Sequence, residues 1–186
     1  MAGLEYGTLT LAVLIPATLV ACWIDYSARK VPNWLNAALA ASGIVAQTAY
    51  FGWSGLGAAT LGMLVGLGVL IIPWAMHGMG AGDVKLMAAI GAWVGPATCF
   101  TSFAVGAVVG GIIAVAMITL ARKWQFAGAN LALIMAKVSR KDTAFSEFAS
   151  ARSFGPTSAL LPYGIPLSIG TWLVLWAHAA GWGGIS

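Results

Sequence analysis

Five acidic residues stand in a chain of 186 that is 60% hydrophobic, and two of them, Asp25 and Asp83, sit at the ends of apolar stretches. Asp25 closes one in CWIDYSARKVPNWLN, and Asp83 opens another in HGMGAGDVKL. An acid at the edge of hydrocarbon is costly unless it pairs, meets water or does chemistry. Two carboxylates held close together cannot easily both ionise, so such a pair retains a shared proton. One member can then act as general base on a water while the protonated member polarises a carbonyl, which is aspartic-protease chemistry and calls for neither a metal nor a covalent intermediate. Gly78, Gly80 and Gly82, just ahead of Asp83, suit either the close approach of an extended substrate segment or a hinge.

A structural reading of the same residues stands beside the catalytic one. Asp25 can mark the end of a helix beside Arg29, and Asp83 can cap the start of another, where a carboxylate also complements the helix dipole. Lys85 reads as an anchor reaching to the membrane interface, close enough in sequence to act on Asp83. His77 has no second histidine or cysteine at ligand spacing, and Cys22 and Cys99 form no CxxC pair, so no metal or cofactor site is expected. Glu5 falls near an outer helix end, and Asp142 and Glu147 fall in a solvated stretch.

The elements that must position the pair follow from composition. Only 8% of the residues are charged and the mean hydropathy is +0.91, against about a quarter charged in soluble domains. A spanning helix needs roughly 20 apolar residues. The expectation is an all-α polytopic membrane protein, one membrane-embedded domain over residues 1–186, with about six transmembrane helices near residues 4–24, 34–52, 56–76, 84–97, 99–121 and 158–181. The fourth is short: about 20 Å from Asp83 to Gly95-Pro96, which thins the bilayer or sets Asp83 below the membrane surface. The first basic residue is Arg29, so the first apolar stretch is expected to be a retained helix rather than a cleaved signal.

In this threading all nine basic residues fall on one side, which the positive-inside rule makes cytoplasmic, with both termini outside. Asp25 and Asp83 then both reach the cytoplasmic boundary and can meet. The net charge of +4 is accounted for by lipid and topology, so no nucleic-acid partner is expected. Residues 122–153 read as a cytoplasmic amphipathic loop lying on the membrane surface. Trp23, Trp34, Trp53, Trp74, Trp93, Trp124 and Trp182 read as interfacial anchors, and Trp172 with Trp176 as packing residues. Gly62/Gly66, Gly91/Gly95 and Gly106/Gly110 have the four-residue spacing that lets helices approach closely.

Gly80-Ala81-Gly82-Asp83, followed by Val84-Lys85-Leu86 and preceded by Asp25 and Val31-Pro32-Asn33, resembles the GxGD aspartic membrane peptidases of the type IV prepilin leader peptidase family. The resemblance extends over essentially the whole chain. It implies that Asp25 and Asp83 are the catalytic pair, with Gly80, Gly82 and Lys85 in support, and that the substrate is a pilin-like precursor whose short leader is cut at the cytoplasmic face of the bacterial inner membrane. Longer members of the family carry a cytoplasmic insertion with paired CxxC motifs and also methylate the new N-terminus. This chain has neither, so it looks like the short, peptidase-only class serving tight-adherence (Flp-type) pili. Leu161-Pro162-Tyr163-Gly164-Ile165-Pro166 resembles a proline-rich segment of the family's last span, and equally reads as a helix start. Two other functions fit the residues themselves: a proton-coupled transporter using the two acids, although transport sites usually lie near the midplane, and a non-catalytic subunit of a pilus or secretion assembly. The sequence leaves the oligomeric state open.

Overall fold

The computed structural model describes residues 2–28, 32–75, 79–120 and 163–180. It comprises two compact units, Met1–Gly110 with Pro162–Ser186, and Gly111–Leu161. Nearly all the described residues fall in four helices: α1 (Ala2–Ala28), α2 (Asn33–Ala75), α3 (Ala81–Leu120) and α4 (Gly164–Ala179). Three helices, over Glu5–Ser27, Asn33–Ala75 and Ala81–Met117, are long and apolar enough to cross a membrane by length and composition. The amphipathic loop expected at residues 122–153 and His77 lie outside the described residues.

The two longest helices are not straight rods. An unbroken α2 would extend about 64 Å at 1.5 Å per residue, twice the hydrocarbon thickness. Gly52 instead has φ 63° and ψ −140°, and a Cβ placed on Gly55 would lie 2.0 Å from the Gln47 carbonyl oxygen. Eight residues of straight helix cover about 12 Å, so the chain reverses here into limbs 33–51 and 53–75. Helix α3 does the same at Gly95, with φ 77° and ψ 175°. The Cys99 thiol reaches the Met87 carbonyl at 3.8 Å, across twelve residues that a straight helix would spread over about 18 Å. Pro96 follows at once, at a helix start where its missing N–H leaves nothing unsatisfied.

The reversal at Gly95 leaves the Trp93 carbonyl without the N–H of a following helical turn. Tyr6 of α1 and Gln47 of α2 supply it instead: the Tyr6 hydroxyl and Gln47 Nε2, at 3.1 Å, both donate to that oxygen. Gly95 itself occupies a backbone region closed in practice to residues with a Cβ, at a cost of order 1–3 kcal/mol. An added methyl would have room, its nearest neighbour being Gln47 Nε2 at 3.9 Å. Gly95→Ala should therefore lower the thermal midpoint in detergent by an amount matching about 1–3 kcal/mol, through backbone strain alone. An unchanged midpoint would show that the turn does not need glycine.

The burial pattern is that of a protein in lipid. Leu19, Val20, Ile72, Phe100 and Val108 face outward, while Thr10, Thr18, Gln47, Ser102, Ser168 and Thr171 are buried, the reverse of the ordering in water. The buried hydroxyls mostly spend their protons one turn back in the same helix, Thr10 on Tyr6, Thr18 on Leu14, Ser168 on Gly164 and Thr171 on Leu167.

Limb 81–94 of α3 is buried on nearly every face: Leu86, Met87, Ala89, Ile90, Ala92 and Trp93 are all enclosed. Its apolar sequence serves protein contacts. Helix α1 packs on α4 and α2.

Three sequence expectations need correction. Trp93 is no interfacial anchor; it is 2% exposed, and its indole N–H donates to the Leu39 carbonyl at 2.9 Å across the space left by Gly43. Trp172 does pack, donating to Thr18 Oγ1 at 2.8 Å, but Trp176 is 65% exposed, turned away from the core. Gly62 and Gly91 do bring helices together, whereas Gly95 makes the turn.

Candidate active site

Asp25 lies near the end of α1 and Asp83 in the first turn of α3. Each is 6% exposed. Their carboxylates meet beside a third element, the start of α4. A Cβ placed on Gly164 would stand 3.0 Å from Asp25 Oδ2 and 3.5 Å from Asp83 Oδ1, so the two oxygens are no farther apart than the sum of those distances. The structure thus brings together the two acids singled out from the sequence, 58 positions apart in the chain.

The Asp83 carboxylate has two sides with different tasks. The Asp83 N–H donates to the Gly80 carbonyl at 3.2 Å, and the Gly80 backbone in turn hydrogen-bonds the carboxylate. The carboxylate reaching back to the Gly80 backbone is the second half of a capping box, and with the backbone turn it closes the N-terminus of α3. A Cβ on Gly80 would lie 3.4 Å from Asp83 Oδ2, so this oxygen sits over the glycine. Asp83 Oδ1, which faces Gly164 and Asp25, is buried without a hydrogen-bond partner. The capping role and an available oxygen therefore coexist in one side chain.

Gly82 and Lys85 hold the same junction from outside. Asn36 Nδ2 donates to the Gly82 carbonyl at 3.2 Å, and Lys85 Nζ donates to Asn33 Oδ1 at 2.8 Å. Two hydrogen bonds thus tie the start of α2 to the turn that carries Asp83. Lys85 is exposed, which agrees with an interfacial cation, and its partner is an asparagine side chain. Asn36 was not identified from sequence. The available signal was its place one helical turn beyond Asn33 in VPNWLN, too common a spacing to single out.

The other residues sequence reasoning missed are Cys22 and Ser168, whose side chains converge on one carbonyl. Ser168 Oγ donates to the Gly164 oxygen at 2.7 Å, and Cys22 Sγ does so at 3.6 Å. Gly164 is held there while its Cα faces the acids. At the opposite end of the unit, about 28 Å along α1 at 1.5 Å per residue, Tyr6, Trp93, Leu175 and His178 line a cavity of about 350 Å³. That cavity is remote from the carboxylates.

Comparison with known proteins gives the same direction. Over 116 residues the chain is 34% identical to a protein of Aeromonas salmonicida (strain A449) named prepilin leader peptidase/N-methyltransferase, a match covering 56% of this chain and 40% of that protein. A second Aeromonas salmonicida protein of the same name matches to the same extent. The chain thus aligns with well under half the length of these curated relatives. No solved structure gives a significant match. The family model described as type IV leader peptidase family matches residues 12–115, a span that contains Asp25, Gly80 and Asp83, and the chain belongs to that family.

Proposed function

We infer that the chain is a membrane aspartic endopeptidase that removes the short leader of type IV pilin-like precursors. The observation that carries this reading is the convergence of two enclosed carboxylates, from α1 and α3, on one glycine of α4. One carboxylate takes a proton from water as its oxygen attacks the scissile carbonyl carbon, and the protonated partner gives its proton to the carbonyl oxygen. When the tetrahedral diol collapses, the C–N bond breaks, the leaving nitrogen takes the proton held by the first acid, and a diol proton returns to the second. No net proton is consumed, and the pair is ready again.

The reversals at Gly52 and Gly95 support a six-crossing topology with both termini outside. In that topology the carboxylates lie at the end of the bundle that carries the basic residues, the cytoplasmic side by the positive-inside rule. A precursor with a cytoplasmic leader and an apolar helix would present its junction at this depth. Placement at a helix end favours a peptidase over a transporter, whose site would sit near the midplane. The absence of paired CxxC motifs favours the short, Flp-type class.

Incubating the purified protein with a candidate Flp-type precursor should yield a product whose N-terminus, read by sequencing, lies at the leader boundary. Intact precursor after prolonged incubation, together with proton-coupled flux in proteoliposomes, would replace this reading with the transporter.

A further inference from the structure

Gly164, at the start of α4, turns a bare Cα towards both acids. Its carbonyl is occupied by Ser168 and Cys22, so the residue is held in place from behind. On its open side a methyl group would come within 3.0 Å of Asp25 Oδ2, tighter than ordinary van der Waals contact. It would also fill the space towards Asp83 Oδ1, the buried oxygen with no hydrogen-bond partner. A methyl group takes roughly the room of one water molecule, about 30 Å³ in the liquid.

Packing elsewhere on α4 has a different character. A Cβ on Gly170 would meet backbone, 2.4 Å from the Gly106 nitrogen and 2.6 Å from the Ser102 oxygen. Gly170 is therefore required for helices to touch. Gly164 faces carboxylate oxygens instead, so what its missing side chain provides is room at the reacting groups.

Resting on the peptidase reading, we propose that Gly164 is a positioning residue whose absent side chain leaves beside Asp25 and Asp83 the one position, within reach of both carboxylates, that the attacking water takes. Binding energy from the leader and apolar helix of the precursor is gathered elsewhere, so crowding this space affects the reacting step rather than the affinity. Misplacing a reacting group by about 1 Å can cost about 10²-fold in rate.

The test is steady-state cleavage of a leader-bearing precursor by Gly164→Ala, with Gly170→Ala as the packing control. Gly164→Ala should keep its thermal midpoint and KM within about twofold and lose at least about tenfold in kcat, while Gly170→Ala loses its midpoint. Unchanged kcat in Gly164→Ala overturns the proposal, as does a fall in kcat that only accompanies a fall in midpoint. Should Gly164→Ala fail to accumulate, the folded parent answers the same question through Cys22, the half-buried one of its two cysteines. Adducts of increasing size on Cys22, which lies against the Gly164 carbonyl, would push Gly164 from behind towards the acids and should lower kcat progressively, and a fully labelled enzyme at the parent rate rejects the idea. If Asp25→Asn and Asp83→Asn both cleave normally, the peptidase reading fails; if they are inactive and Gly164→Ala is normal, only this inference fails.

Discussion

Asp25→Asn and Asp83→Asn should each lower precursor cleavage by about 10²–10⁴-fold, the range by which a positioned acid or base accelerates proton transfer. Asparagine keeps the shape of the side chain and removes its ability to take or give a proton. The double variant should be no slower than either single one, because removing one member of a cooperating pair already disables the unit. Accumulation in the membrane should be unchanged. The two acids share one enclosed space, so a neutral amide in place of either lowers the charge that space must hold, and the thermal midpoint should stay level or rise. Asp83→Asn carries the sharper stability test, because the amide can still accept from the Gly80 backbone and preserve the cap on α3. A variant that cleaves within tenfold of the parent rate would remove the proposed chemistry. A variant that is inactive only because it fails to accumulate would give its carboxylate a structural role instead.

The catalytic candidates were legible because acids are rare in an apolar chain, and rarity at a helix end is a signal that needs no tertiary information. Their meeting was legible too, since alternating helix directions return the end of one stretch and the start of another to one boundary. Gly52 ends the expected span 34–52 and Gly95-Pro96 closes the expected fourth, so both reversals fall where the sequence reading breaks the helices. The four-residue spacing of Gly91 and Gly95 also suggested a packing pair, and there only Gly91 makes the contact while Gly95 makes the turn. Trp93 was misread for a related reason. A tryptophan at a span end faces lipid or protein depending on whether its helix is peripheral, and limb 81–94 is the enclosed one. Gly164 and Asn36 act through contacts with segments over 40 residues away, which no local pattern encodes.

The packing of limb 53–75 against limb 81–94 should prove as decisive as the chemistry, because it holds the helix that carries Asp83. A Cβ on Gly62 would lie 2.0 Å from the Gly91 oxygen, and one on Gly91 2.1 Å from the Gly62 oxygen. The clash is with backbone on both sides, so no rotamer change relieves it and the limbs must separate. Gly66, one turn on, stands in the same relation to Met87 at 2.5 Å, and helices in lipid depend on such contacts because no hydrophobic force draws them together. Overpacking of this kind costs about 1–3 kcal/mol and occasionally more, so Gly62→Val or Gly91→Val should sharply lower the thermal midpoint and membrane accumulation. Gly68→Ala, on the same limb as Gly62 but with nothing within 4 Å of the added carbon, should be neutral or stabilising, since alanine favours helix by about 1 kcal/mol over glycine. Equal effects at Gly62 and Gly68 would mean that glycine matters here only for helix propensity. A large loss at Gly62 and Gly91 with none at Gly68 is the outcome expected if the backbone contact between the limbs sets the position of the α3 carboxylate.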